Sequence, residues 1–330
     1  MPILAEPYSD RWADEWDAFV AERARNGTLL HTRRFFAHND ANARDDASLL
    51  FRDRARVIGL LPAALLGADG AEAVLHSHPR STYGGFVVAP EVGTAATLEM
   101  VDLALAYARE RGARRVVVRN PFRIFHAMPS DESDYALWLR GFTVLSRELE
   151  VAVPTGSITP GDALAHFDGK TRNQVRKAQR AGVVVEASDD YAAFWPMLEE
   201  NLRARHEAQP THSLEAFARL RACVGPDAVR LVLAQHDGRV IAGAVVLVAN
   251  ARALHVQYIA SRADALHLCP VNAVLHHLVE MAAAGGYHYL NLGMSTEDAG
   301  RRPNLGLFAF KEGFGGRGVL RETLALDLAT

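Results

Sequence analysis

The stretch Val229-Arg-Leu-Val-Leu-Ala-Gln-His-Asp-Gly-Arg-Val-Ile-Ala-Gly-Ala-Val-Val-Leu-Val-Ala249 decides the fold. Two runs rich in valine, leucine and isoleucine flank His236-Asp-Gly-Arg239, a tight hairpin turn of the Asp-Gly kind. A third apolar run follows, so Val229–Gln235, Val240–Ala249 and Ala253–Ala260 read as consecutive antiparallel strands. Upstream lie a basic helix over Gly169–Ala181, a strand over Val183–Glu186, and helices over Tyr191–Glu207 and Leu214–Val224. Downstream, a helix over Val271–Ala284 has Pro270 at its start and Gly285-Gly286 at its end, the positions each residue favours. Strand Tyr287–Leu292, a short helix around Leu305–Glu312 and a strand Val319–Leu326 close the chain. Two helices, three antiparallel strands, then helix, strand, helix, strand is an α+β order, with one sheet covered on both faces.

The first half is a mixed α/β pattern. Trp12–Arg25 and Thr94–Arg111 have helical periodicity, the second stopping at Gly112. Ser48–Phe51 with Arg56–Leu66 reads as a hairpin, and Val74–His76, Phe86–Val88, Arg115–Arg119 and Phe142–Val153 as strands. Pro154-Thr-Gly-Ser-Ile-Thr-Pro160 is the clearest break.

At 330 residues, 49% hydrophobic and 23% charged, the chain has the composition of a folded two-domain protein. A net charge of −3 argues against a dedicated nucleic-acid binder. Cys223 and Cys269 are too few and too far apart for a disulfide framework or a zinc site. No basic region with a long apolar core opens the chain, and the longest apolar stretch, Val240–Ala249, is too short to span a bilayer. The expectation is a cytoplasmic protein without membrane insertion and without a metal.

Thirty-three of the 36 basic residues are arginine; the lysines are Lys170, Lys177 and Lys311. A lysine kept against such a bias is a candidate for a role that a broad, permanently charged guanidinium cannot fill. Lys311 sits in Phe310-Lys-Glu-Gly-Phe-Gly315, and Lys170 and Lys177 in Lys170-Thr-Arg-Asn-Gln-Val-Arg-Lys-Ala-Gln-Arg-Ala-Gly182. The first segment resembles the closing Phe-Lys-x-x-aromatic-Gly signature of Fem-type aminoacyltransferases. The second resembles the basic helix that opens their second domain. With Pro210-Thr-His-Ser213, His255-Val-Gln-Tyr258 and Ser295-Thr-Glu297, the set is most similar to Fem-like (FemAB-type) members of the GNAT superfamily associated with polysaccharide biosynthesis. The resemblance is specific over about 165–320 and architectural before that. It implies an α+β fold of two tandem GNAT-like domains, each a mixed, largely antiparallel sheet flanked by helices. The expected split is residues 1–153, a degenerate domain, and 161–330, the acyltransferase domain. The segment Ser261–Pro270 departs from the GNAT pattern, because it lacks the glycines that cradle a CoA diphosphate.

The resemblance implies acyl transfer to an amine, which needs a neutral amine, a held carbonyl and stabilisation of an oxyanion. Lys311 is the candidate for the oxyanion charge and for donating a proton. His255 and Gln257 share one face of a strand by alternation, with Leu254, Val256 and Tyr258 on the other. His255 is a candidate base, Glu297 a second base, and Tyr258 a candidate acid. Gln257, His212, Ser295 and Asn304 are candidate substrate contacts, with His206 as a further pocket residue. Arg172, Arg176 and Arg180 recur every four residues as a basic stripe for phosphates or a polyanion. Tyr83, in the loop His76–Gly85, is a candidate for the far wall of the acceptor site.

The expected function is N-acyl transfer from an acyl-CoA or acyl-carrier-protein thioester, as co-substrate, to a small-molecule amine on a nucleotide-linked amino sugar. An aminoacyl-tRNA-dependent peptidoglycan transferase is the second reading, and a non-catalytic ligand-binding module the third.

Overall fold

The computed structural model describes residues 2–67, 72–206 and 209–328, without the side chains of residues 205 and 206. Its strands are β1 (Leu4–Pro7), β2 (Leu49–Asp53), β3 (Arg56–Leu61), β4 (Ala64–Leu66), β5 (Val74–His76), β6 (Val87–Val88), β7 (Arg115–Val118) and β8 (Thr143–Pro154). They continue with β9 (Val184–Ser188), β10 (Val229–His236), β11 (Arg239–Asn250), β12 (Ala253–Ser261), β13 (Tyr289–Met294), β14 (Thr296–Glu297), β15 (Arg302–Pro303) and β16 (Arg317–Asp327). The principal helices are α1 (Ala13–Ala18), α2 (Thr94–Glu110), α3 (Glu132–Leu139), α4 (Gly169–Arg180), α5 (Tyr191–His206), α6 (Leu214–Val224), α7 (Pro270–Ala284) and α8 (Leu305–Glu312). Most of the expected elements are present, but Arg56–Leu66 divides into β3 and β4 in different sheets, and the helix expected over Trp12–Arg25 is α-helical only over Ala13–Ala18. The structure adds β1, β14, β15 and α3, whose short patterns gave no periodic signal.

The chain forms two compact units. The first holds the residues up to Glu148, Asp298–Arg301 and those from Leu320 on; the second holds Leu149–Glu297 and Arg302–Val319. The expected boundary kept the whole C-terminus with the second unit. Instead the end of β16 pairs with β7, Leu324 opposite Val118, and so closes the first unit. Residue patterning cannot show this, because an apolar strand is equally at home in either sheet. The first unit contains a four-stranded antiparallel sheet, β1-β2-β3-β6, and the strands β4-β5-β7-β16 in that order.

In the second unit the order is β8-β13-β12-β11-β10-β9. All its pairings are antiparallel except β12 with β13. One face is covered by α4 and α7: Val175, Ala178, Val274 and Leu278 pack on Val232, Ala244, Val246, Leu254, Val256 and Leu290. Helix α5 lies on the other face against β11 and β12. Gly243 permits this approach, since a Cβ there would come within 2.9 Å of the Phe194 ring on α5. The central strands are apolar on both faces because both faces are covered.

Candidate active site

Two irregularities in β12 and β13 build the site. The parallel ladder pairs only Ala253–His255 with Tyr289–Asn291, although β12 runs on to Ser261 and β13 to Met294. Beyond His255 the two strands part and leave backbone groups open between them. On the other edge of β12, Val246 pairs with Val256 but Val245 with Tyr258, so Gln257 is the extra residue of a β-bulge.

The bulge corrects one expectation. Strict alternation put Tyr258 on the face of Leu254 and Val256. Those two lie in the core under α7, whereas the Tyr258 ring stands 5.6 Å from Trp195 and 6.1 Å from Phe217, on the side of α5 and α6. One inserted residue reverses the facing of everything after it. Tyr258 thereby meets His212, with its hydroxyl 2.9 Å from Nδ1. Burial raises the Tyr258 pKa, against the opposing pull of its hydrogen bonds to Gln257, Thr211 and His212, so the hydroxyl keeps its proton at neutral pH.

His255 is on that same face. Leu254 and Leu290 face each other in register within the core, so His255 and Asn291, next in register, point the opposite way. Asn291 donates from Nδ2 to Glu150 Oε2 at 2.7 Å. Glu150, Asn291 and His255 are all buried, the first two to 1% and 0% exposure. They form a polar row across three adjacent strands, β8, β13 and β12. The sequence reading missed Glu150 and Asn291. The available signal was a carboxylate directly before the apolar run Val151-Ala-Val153.

Gly293 follows with φ +74°, a left-handed turn that a side chain would strain. Its N–H donates to Asn291 Oδ1, and its carbonyl, with that of Met294, accepts from Lys311 Nζ at 2.8 and 2.7 Å. Lys311 is 7% exposed. Burial lowers its pKa to about 8, and the Glu150 carboxylate acts against that shift. Two of the three ammonium donors hold the freed end of β13, and the third is uncommitted among the described residues. Ser295, 1% exposed, has an Oγ with no hydrogen-bond partner among the described residues.

Other candidates have structural duties. Asn304 caps α8, accepting from the Leu307 N–H and donating to Glu297. Glu297 is exposed on the β14–β15 hairpin and ion-paired with Arg302 at 3.2 Å. Tyr83 is corrected outright: it is 1% exposed, among Phe122, Phe125 and His31 of the first unit, and has no face to offer a substrate. The side chain of His206 lies outside the described residues. On α4, Thr171, Val175 and Ala178 are buried, and Arg172, Arg176 and Arg180 make no ion pair among the described residues.

A pocket of about 440 Å³ opens beside these elements. It is bounded by the end of β12 (Ile259–Ser261), the start of α7 (Cys269–Asn272), Gly306, Leu307 and Phe310 of α8, Gln174 of α4 and Asn201 of α5. No lining side chain carries a charge. Among the described residues no group of three or more His, Cys, Asp or Glu could hold a metal, and no helix is long and apolar enough to cross a membrane.

Comparison with known proteins agrees with the fold. Residues 165–302 match the family described as acetyltransferase (GNAT) domain. The solved structure of FemX superposes with a TM-score of 0.75 at 14% identity, over 98% of this chain and 97% of that one. L-PGS from Bacillus licheniformis gives 0.60 at 12% identity, over 98% and 94%. A tandem GNAT protein from the clavulanic acid biosynthesis pathway gives 0.52 at 15%, over 99% of each chain. These likenesses are of fold. No curated protein matches the sequence.

A GNAT domain implies an acyl-CoA co-substrate. The neutral pocket suits the uncharged arm of such a molecule. The start of α7 does not suit its diphosphate: Pro270 has no N–H, and those of Asn272 and Ala273 both donate to Cys269 O. Only the Val271 N–H is left in that turn among the described residues.

Proposed function

With a GNAT acyltransferase domain in a Fem-like fold as the premise, we propose that this protein transfers an acyl group from a thioester to an amine on a nucleotide-linked amino sugar, in cell-surface polysaccharide biosynthesis. The observation that carries the reading is the parting of β12 from β13, with Lys311 fixed to the freed carbonyls of Gly293 and Met294. An acyl carbonyl set between the strands would meet the third Lys311 donor, a charge already fixed where an oxyanion develops.

The amine would approach from the face that carries His255, Tyr258 and His212. Its nitrogen attacks the carbonyl carbon and forms the C–N bond with the negative charge on oxygen, and the C–S bond breaks as that oxyanion collapses. The ammonium proton passes to His255, and the departing thiolate takes a proton from Tyr258, which His212 can restore. Direct attack needs no cysteine nucleophile.

Aminoacyl transfer is the second reading, favoured by the missing diphosphate cradle on α7. A panel of acyl-CoAs, acyl-carrier proteins and aminoacyl-tRNAs, offered with amino-sugar nucleotides and peptidoglycan precursors, separates the two. Free thiol released in step with an acylated sugar nucleotide supports the proposal. Deacylation of tRNA alone would overturn it.

A further inference from the structure

Gln174 is the one residue of α4 that lines the pocket, and its Oε1 accepts from Asn272 Nδ2 at 3.1 Å. At 100° per residue, Lys170 and Lys177 lie within about 60° of Gln174 around the helix, the i−4 and i+3 neighbours that share its face. Arg172 and Arg176 lie about 160° away, on the opposite side, and Arg180 about 120° away, beyond Lys177. Both lysines are exposed, and neither makes an ion pair among the described residues. The acid nearest in sequence is Asp168, which caps the helix by accepting from the Thr171 N–H. The pocket wall itself is neutral, with Leu266 on its rim 48% exposed.

These facts describe a pocket with an uncharged wall and, on the face of α4 that Gln174 shares, two exposed cations. We propose that the pocket takes the uncharged arm of the thioester donor, and that the donor's phosphate end is met by Lys170 and Lys177. This moves the anion site from the start of α7 to the flank of α4, and away from the arginine stripe. It rests on the thioester reading above. It also accounts for the two remaining lysines: a flexible stem with a compact ammonium can swing over a pocket edge to a mobile phosphate.

The test is titration calorimetry with coenzyme A and with pantetheine, which lacks the phosphates. Wild-type protein should bind coenzyme A at least about tenfold more tightly at low salt, with an affinity that falls as salt screens the contact. The double variant Lys170→Gln, Lys177→Gln should bring coenzyme A down to the affinity of pantetheine, leave pantetheine unchanged and flatten the salt dependence. The triple variant Arg172→Gln, Arg176→Gln, Arg180→Gln should alter neither ligand. Leu266→Trp on the rim, or Leu307→Trp within, should weaken both with the circular dichroism unchanged.

Full coenzyme A affinity in the lysine variant, or its loss in the arginine variant, would overturn the lysine assignment alone. Pantetheine binding undiminished by both tryptophan variants would overturn the pocket. A wild-type protein that binds neither probe would overturn the thioester reading as well.

Discussion

Lys311 is a charge whose environment can be tested one atom at a time. Lys311→Met should lower kcat about 10²–10³-fold, the usual cost of losing a fixed charge beside an oxyanion. Lys311→Arg should restore little, because a guanidinium cannot sit between the Gly293 and Met294 carbonyls as an ammonium does. Since burial brings the lysine to about 8, activity should fall as pH rises past that value. Glu150→Gln removes the carboxylate that supports the charged form, so this alkaline limb should move to lower pH; an unmoved limb would remove Glu150 from the site. His255→Ala should flatten the acid limb. Glu297→Gln should leave it unchanged, because Glu297 is exposed and paired with Arg302. If the two variants behave the other way round, Glu297 is the base. Lys311 was legible in the sequence from the scarcity of lysine and the motif around it. Its partners were not, because they are main-chain carbonyls, which leave no trace in residue identity.

At the scale of elements, the turn at Gly293 and the bulge at Gln257 do the positioning. Gly293→Ala places a Cβ at φ +74° and should cost about 1–2 kcal/mol, read as a lowered midpoint in urea. It should also reduce kcat, since the carbonyls that hold Lys311 would turn. A stable variant with full activity would show that their direction is unimportant. Deleting Gln257 should close the bulge and leave Tyr258, now directly after Val256, opposite Val245 on the His212 side, so the variant should fold and keep activity; loss of activity in a folded variant would show that the bulge itself is needed. The hairpin at His236–Arg239 and the stop at Gly285 were legible because each is local chemistry. The bulge was not. Nothing in His255-Val-Gln-Tyr258 says which residue will lack a partner, and that depends on the register of β11.

For the whole molecule, the first unit holds neutral histidines that set its acid limit. His31 and His126 are both held at about 4 by burial. Unfolded, each would titrate near 6.5, so below that pH the unfolded chain binds protons that the folded chain refuses. Stability should therefore fall as pH drops from about 6.5 towards 4, by up to about 1.4 kcal/mol per pH unit for each group. Urea midpoints at pH 7.5, 6 and 5 check this, and equal midpoints would contradict it. By itself the sequence determined the α+β class, the helix-covered sheet of the second half and the lysine at its centre. These follow from periodicity, turn residues and composition, all of which act within a few residues. Tertiary structure alone decided that the chain's end returns to the first unit, that β12 and β13 part after His255, and that Glu150, Asn291 and His255 form one row. Each of these depends on which strands become neighbours, and that is settled by packing between segments up to about 200 residues apart, beyond the reach of any local pattern.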